Sequence, residues 1–144
     1  MDVDECFRER LLRKISVDKD KINNSLKISE NKLNRARKLF DNDFFDEAFL
    51  SAYTCIFHAA RALLYKDGIQ EKSHFATHLY IKERYCNIIP DYLIEGFLNY
   101  QLERHQILYG FETEISQEKS ENIILDAEDF LEEVKKILNI KNEK

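Results

Sequence analysis

Three neighbouring polar side chains suit acid–base chemistry: an arginine, a histidine beside it, and a tyrosine five positions after the arginine. Arg104 carries a permanent positive charge, and the imidazole of His105 is of a type that titrates near neutral pH. Such a pair can stabilise a growing negative charge and move a proton. Tyr109 is a poor base at pH 7, because the ordinary pKa of tyrosine is about 10. Arg104, His105 and Tyr109 are therefore the candidates for catalytic groups.

A second pair, His58 and Arg61, stands three residues apart in an alanine-rich stretch, so both side chains lie on one side of a helix. A histidine among alanines is usually a core residue that is hydrogen-bonded to a neighbouring helix. The alternative is that His58 or Arg61 turns toward the same cleft as Arg104. We favour the core interpretation of His58.

A third group consists of His74 and His78, four residues apart, with Glu71 three residues before the first of them. This spacing could present a metal-binding face. A carboxylate-bridged di-iron bundle, however, needs a matching Glu-x-x-His pair on a second helix, and the sequence contains no second pair. We expect no metal and no cofactor.

A basic helix face is predicted within residues 19–38. Its cations are Lys27, Lys32, Arg35, Arg37 and Lys38. Such a face can attract phosphate, but nearby acidic residues dilute its charge, and a solvated helix surface is the usual meaning of this pattern. Recognition-helix pairs and glycine-rich phosphate loops are absent from the sequence.

The stretch that positions these residues is 44–65, where apolar or small side chains recur at three and four residues. This spacing predicts a helix with a broad buried face, as the central helix of a bundle requires. Its alanines allow close approach of other helices, and its phenylalanines supply bulk between them. The remaining helices should pack around it.

The same periodicity, together with turn and cap residues, predicts six helices. They cover residues 4–15, 19–40, 44–66, 73–86, 91–108 and 117–138. Ser16 or Asp18 can cap the second helix, and Ser116 or Ser120 the last. Residues 41–43 should form a tight turn with a cap for the central helix, and 70–72 and 111–116 should form loops.

The pattern indicates an all-α protein: an antiparallel, up-and-down bundle of four to five core helices plus a short N-terminal helix. We expect a single domain over residues 1–144. Residues 1–16 would be an appendage that either docks on the bundle or exchanges with a second subunit, and residues 140–144 a frayed tail. Aromatic residues make up 12% of the chain, more than one thin bundle needs, so some should serve a subunit interface.

Composition limits the function further. The net charge of −5 excludes a wholly basic nucleic-acid-binding surface, so any RNA contact must come from a local patch. Cys6, Cys55 and Cys86 are far apart and odd in number, which fits reduced thiols in the cytosol rather than a disulfide framework or a zinc site. No stretch has the character of a signal peptide or a membrane span, so we expect a cytoplasmic protein.

The central stretch carries a family resemblance. Residues 51–53 read SAY, 56–64 read IFHAARALL, and 72–74 read KSH. These resemble the S-A-Y-Y-A-x-F-H-A-A-R-A-L core and following K-x-H of short stand-alone HEPN domains, which are small helical domains of prokaryotes. Arg104, Tyr109-Gly110 and the Ala127-x-x-Phe130 helix also fall where those proteins have similar residues. The resemblance covers residues 33–138 and implies a HEPN-like bundle in which His74 caps or orients its helix.

The resemblance also implies functions. Ribonuclease members of the HEPN family carry R-x(4-6)-H, whose arginine and histidine from two subunits meet at a dimer cleft and cleave RNA without metal. This chain keeps Arg104 but has Tyr109 at the fifth position after it. The adjacent His105 points about 100° away from Arg104 on a helix, so it does not replace the missing histidine. An intact ribonuclease is therefore not the favoured interpretation.

The hypothesis is a homodimer that binds RNA or a nucleotide through Arg104, Tyr109, His58, Arg61 and His74. By resemblance, its partner would be a minimal nucleotidyltransferase, in a two-component toxin–antitoxin or nucleotide-handling module. The alternative is a non-catalytic dimeric scaffold whose cleft binds only a protein partner.

Overall fold

The computed structural model describes residues 1–110 and 114–140. This part of the chain forms six α-helices and one two-stranded antiparallel sheet. The elements are α1 (Val3–Arg8), β1 (Leu12–Lys14), α2 (Lys19–Asp41), α3 (Phe45–Lys66), β2 (Ile69–Glu71), α4 (His74–Tyr85), α5 (Asp91–Leu108) and α6 (Gln117–Ile137). The predicted all-α bundle is confirmed.

Helix α3 is the centre of this bundle, as its periodicity predicts. It contacts α2, α4, α5, α6 and β2, with the most extensive contacts to α2 and α6. Its alanines at 48, 52, 59 and 60 are all fully buried, and so are the rings of Phe49 and Tyr53. Small side chains let the neighbouring backbones approach, which explains why one helix can touch so many others.

Several helix ends follow the local sequence. The side chain of Asp18 accepts a hydrogen bond at the start of α2, and Ser116 does the same for α6. Gly68 follows α3 with a left-handed φ of 72°. The predicted cap within 41–43 is wrong: Phe44 occupies the cap position of α3, and no described side chain caps this end, because Asp43 turns the chain in a left-handed conformation.

The predicted helix over residues 4–15 is also wrong. Helix α1 ends at Arg8, and Arg10 adopts a left-handed φ of 60°, a conformation that cannot continue a right-handed helix. The next residues form β1 and pair with β2, with Leu12 opposite Glu71 and Lys14 opposite Ile69. The predicted loop at 70–72 is therefore largely strand. Local spacing does not reveal this pairing, since the two strands are far apart along the chain.

The N-terminal segment docks on its own chain. Val3 and Cys6 are fully buried, α1 contacts α4, and the backbone N–H of Val3 donates to a carboxylate oxygen of Glu83 at 2.7 Å. The segment therefore packs against the bundle of its own chain.

Helix α5 ends at Leu108, as predicted, and Gly110 beyond it has a left-handed φ of 82°. Residues 111–113 of the predicted loop, and 141–144 of the predicted tail, lie outside the described residues. Among the described helices, none combines the length and the apolar character needed to cross a membrane.

Candidate functional site

A small cleft of about 210 Å³ opens between α3, the first turn of α4 and the C-terminal half of α5. It is lined by Tyr53, Thr54, Phe57, His58, Arg61, His74 and Arg104. Four of these residues, His58, Arg61, His74 and Arg104, are ones that the sequence nominates for ligand binding. Three separate helices bring them together.

One wall of the cleft is a single face of α3. Tyr53, Phe57 and Arg61 recur every four residues, and Thr54 and His58 form a parallel row beside them. Residues four apart on a helix are neighbours on its surface, so this spacing builds a continuous wall. The wall is apolar at Tyr53 and Phe57 and cationic at Arg61.

His74 supplies the second wall. It is the first residue of α4, and its ring stacks on that of Phe57 with the ring centres 4.0 Å apart and the planes 15° apart. Its Nδ1 lies 2.8 Å from the hydroxyl oxygen of Tyr53. Of the two roles expected for His74, capping α4 belongs instead to Ser73, whose hydroxyl accepts the hydrogen bond from the N–H of Ala76. The contacts of His74 with Phe57 and Tyr53 fit the other role, orienting the helix.

His58 faces the cleft instead of being satisfied inside the core. Its Nδ1 is buried and has no hydrogen-bond partner in the described part of the chain. The core interpretation of this histidine is therefore wrong, and the alternative, in which it turns toward Arg104, is the arrangement observed. An unpaired buried nitrogen is costly, so it is a natural point for a ligand to contact.

The two imidazoles of the cleft are uncharged at neutral pH. Burial, reinforced by the positive charges of Arg61 and Lys32, lowers the pKa of His58 to about 4. Burial, together with the charges of Arg104, Arg61 and His58, lowers the pKa of His74 to about 4 as well. Both rings therefore offer one donor and one acceptor nitrogen at pH 7.

Arg61 is held by a carboxylate. Its Nε donates to Oε1 of Glu71, and the amide of Gln70 donates to the same oxygen at 3.2 Å. The guanidinium carbon lies 5.2 Å from the centre of the Phe57 ring. The pair uses only Nε of Arg61, and its terminal nitrogens make no other hydrogen bond among the described residues.

Arg104 is the cation of the cleft that lacks a carboxylate. Its guanidinium carbon lies 5.4 Å from the centre of the Tyr53 ring, and no carboxylate of residues 1–110 or 114–140 is within ion-pair distance of it. The adjacent Glu103 pairs with Lys119 instead, at 2.7 Å. Burial raises the pKa of Tyr53, although the charge of Arg104 opposes this, so the hydroxyl stays protonated.

His105 and Tyr109 do not line the cleft. They lie on the exposed end of α5 with their ring centres 4.5 Å apart, and Tyr109 is 65% exposed. One helix cannot point Arg104 and the adjacent His105 in the same direction. A role for His105 and Tyr109 in catalysis or binding stays a prediction.

The three side chains considered as metal ligands have other surroundings. Glu71 pairs with Arg61, His74 stacks on Phe57, and His78 is buried with its ring centre 5.9 Å from that of Phe97. Burial lowers the pKa of His78, helped by the charge of Lys82. Across the described residues, no three His, Cys, Asp or Glu side chains are grouped so that they could hold a metal ion.

The sequence-based reasoning missed Thr54 and the direct part that Tyr53, Phe57 and Glu71 take in the cleft. Tyr53 and Phe57 were assigned to the core, where they also belong, since they are 1% and 7% exposed. A signal was present in the four-residue spacing that joins Phe57 to Tyr53 and Arg61. Nothing in the local pattern indicated that Glu71 would neutralise Arg61.

The arrangement suits an anion. The guanidinium groups of Arg61 and Arg104 contribute two positive charges and Glu71 one negative charge, so the cleft favours an anionic ligand. Guanidinium groups bind phosphate oxygens through paired hydrogen bonds. The neutral imidazoles add polar contacts without competing for the anion.

Comparison with known proteins agrees with this fold. The model of the HEPN domain family matches residues 22–137. A protein of Methanocaldococcus jannaschii named "Putative toxin MJ0605" is 30% identical over 131 residues, which cover 83% of this chain and 90% of that protein. A "UPF0332 protein" of Archaeoglobus fulgidus is 27% identical over 122 residues, covering 83% of this chain and 97% of that protein. The chain therefore belongs to the HEPN domain family.

Proposed function

We propose that this chain is a toxin-like HEPN protein whose cleft binds the phosphate of RNA or of a nucleotide. The observation that carries the proposal is Arg104, a cation that lines the cleft and has no carboxylate within ion-pair distance in the described part of the chain. Two features accompany it: the buried, unpartnered Nδ1 of His58, and the terminal nitrogens of Arg61, which make no other hydrogen bond among the described residues. Together they match a phosphate group.

The cleft of one chain is better suited to binding than to cutting. Cleavage by a ribose hydroxyl needs a proton acceptor and a proton donor near neutral pKa. With pKa values of about 4, His58 and His74 are neutral at pH 7, so neither is a cationic acid and both are weak bases. Metal-independent ribonuclease activity is accordingly the less favoured outcome, unless a second chain supplies the missing group.

The partner that we propose is a minimal nucleotidyltransferase, as the HEPN resemblance implies, and the toxin name of the Methanocaldococcus relative supports a two-component module. We place the module in the cytoplasm. The three free cysteines of the chain fit a reducing compartment.

The experiment is binding of uridine monophosphate, followed by calorimetry, to the wild type and to Arg104→Ala. We expect the substitution to weaken binding by about tenfold to a hundredfold, because a charge-assisted contact is worth about 1.5–3 kcal/mol. The matched control is Arg8→Ala, which removes an exposed arginine on α1. Equal affinities of Arg104→Ala and Arg8→Ala would contradict the proposal.

A cleavage assay on single-stranded RNA with a metal chelator completes the test. We expect no cleavage by the isolated chain. Cleavage that disappears in Arg104→Ala, but persists in Arg8→Ala, would make the protein a metal-independent ribonuclease.

A second candidate function is the non-catalytic scaffold. It is favoured by three exposed apolar side chains at the end of α5: Leu102, Leu108 and Tyr109 are 55%, 48% and 65% exposed. Co-purification with a nucleotidyltransferase, without binding of nucleotide or RNA by this chain, would support it over the cleft proposal.

A further inference from the structure

A second cationic concavity adjoins the cleft. It has a volume of about 340 Å³ and is lined by Arg10, Arg13, Gln70, Glu71 and Lys72. We call its three cations, Arg10, Arg13 and Lys72, the ribbon patch, because they lie in or beside the two-stranded ribbon of β1 and β2. All three are exposed, and none has a carboxylate within ion-pair distance among the described residues.

The ribbon patch is held in place by backbone contacts. Arg13 lies opposite Gln70 in the ribbon, and the N–H of Lys72 donates to the carbonyl of Leu11 at 2.9 Å. Arg10 adopts the left-handed conformation that ends α1, a position that glycine or asparagine usually fills. The three cations therefore come from segments that approach each other only in the folded chain.

One carboxylate joins the ribbon patch to the cleft. Glu71 lines the patch, yet its Oε1 accepts the hydrogen bond of Arg61, which lines the cleft. Its negative charge is therefore already matched and does not cancel the patch. Lys72 and His74 are two residues apart, so their Cα atoms are separated by at most about 7 Å. The Arg61–Glu71 contact and the short step from Lys72 to His74 therefore bring the ribbon patch next to the cleft.

We infer that the ribbon patch extends the cleft into a track for the backbone of single-stranded RNA, so that the substrate is a polynucleotide rather than a free mononucleotide. This inference rests on the proposed function of the cleft. A mononucleotide carries phosphate at one position and fills the cleft alone. A longer strand places further phosphates outside the cleft. When unpaired cations there contact these phosphates, the phosphates release their counterions, and this release favours binding. Arg10 and Arg13 precede residues 22–137, the part matched by the family model.

The basic face of α2 serves as the comparison surface. It offers the same number of exposed cations in Lys27, Arg35 and Lys38, but these lie on a helix that lines no part of the cleft. The test variant is Arg10→Gln/Arg13→Gln/Lys72→Gln, and the control is Lys27→Gln/Arg35→Gln/Lys38→Gln. Both remove three positive charges, so an effect of net charge alone is the same in the two.

The measurement is the affinity for a labelled twelve-residue oligouridine, by fluorescence anisotropy at several salt concentrations, and for uridine monophosphate by calorimetry. The logarithm of affinity for a single strand falls by about 0.7 per phosphate contact for each tenfold rise in salt. Loss of three contacts should therefore reduce the salt slope by about 2, and weaken oligouridine binding up to about a hundredfold at 0.1 M salt. Uridine monophosphate should bind the test variant within about twofold of the wild type, since the ribbon patch lies outside the cleft.

Each outcome decides between the two proposals. Equal losses in the test and control variants, or no loss in either, would overturn the track while leaving the cleft intact. Retained binding of both ligands by Arg104→Ala would overturn the cleft, and the track with it. If the triple variant fails to fold, Arg13→Gln/Lys72→Gln keeps the native Arg10 turn, and its salt slope should fall by about 1.4.

Discussion

At the scale of single residues, the cleft combines two kinds of side chain that seldom share a site: permanent cations and buried neutral imidazoles. Arg61 and Arg104 keep their charge, while burial and these same charges hold His58 and His74 in the neutral form. Protonation of either histidine would add a positive charge beside the arginines, so both histidines stay neutral. A bound phosphate would make their protonation less unfavourable, because its negative charge offsets that of the arginines.

This arrangement has a pH signature. The pKa of each imidazole is about 4 in the folded chain and about 6.5 when unfolded, so between these values the unfolded state binds more protons. The contribution of these two histidines to the free energy of unfolding should thus be complete above about pH 6.5 and should decline as the pH falls toward 4. The measurement is urea denaturation at pH 7, 6, 5 and 4.

The controls for this prediction are histidine variants. Because both imidazoles are only partly buried, solvent screens their interactions and the decline should be modest in size. His58→Gln and His74→Gln should each flatten the curve between pH 6.5 and 4. If the free energy of unfolding of His58→Gln/His74→Gln declines with pH as steeply as that of the wild type, the placement of these rings is contradicted.

At the scale of elements, α3 has two functions on two faces. Most of its surface is the core of the bundle, and the row of Tyr53, Phe57 and Arg61 is a wall of the cleft. Its C-terminus also sets the course of the chain into β2, which supplies Glu71 to Arg61 and Lys72 to the ribbon patch. The turn after α3 therefore influences both concavities.

Gly68 is the residue on which this turn depends. It has a left-handed φ of 72°, and a Cβ atom added there would lie 2.9 Å from the backbone oxygen of Ile15. Gly68→Ala should lower the free energy of unfolding by about 2 kcal/mol or more, from the backbone conformation and from the forced shift of the neighbouring strand. Thermal or urea unfolding at pH 7 measures the loss.

The matched control is Gly110→Ala. Gly110 has a similar φ of 82°, but an added Cβ would meet no atom of the described chain within 4 Å. This substitution should cost only about 1 kcal/mol, the price of the left-handed conformation alone. Equal losses at the two glycines would show that the contact with Ile15 is unimportant.

At the scale of the whole molecule, the last turns of α5 carry exposed apolar side chains near Arg104 in the sequence. Leu108 lies one turn after Arg104 on the same side of the helix, Leu102 lies on a different side, and both are about half exposed. Apolar residues at this position favour a subunit or partner contact there. A contact at this surface would bring a second chain next to the candidate site, which is the arrangement implied by the HEPN resemblance.

We expect the protein to sediment as a dimer and Leu102→Asp/Leu108→Asp to raise its dissociation constant by at least about tenfold, since burying an unpaired carboxylate opposes association. Leu125→Asp is the control, because Leu125 is similarly exposed, at 52%, but lies on α6 rather than on α5. Analytical ultracentrifugation distinguishes the variants. A monomeric wild type, or equal dissociation by Leu125→Asp, would contradict a dimer through α5.

Much of the fold was predictable from the chain because it depends on neighbours in sequence. The three-and-four spacing of residues 44–65 identifies α3, and single polar side chains at Asp18 and Ser116 cap the helices that follow them. The HEPN resemblance of the same stretch also came from the sequence. Helical periodicity and caps are local properties, so their physical cause lies within a few residues.

Only the tertiary structure decided what these elements bring together. Residues 12–14 were indistinguishable from a helix until their pairing with 69–71 was known, because strand pairing is a long-range contact. His58 could be core or cleft, and the packing of α4 and α5 against α3 decided it. Glu71 and the ribbon patch acquire their significance in the same way, since a charge affects whatever lies near it in space, regardless of its place in the chain.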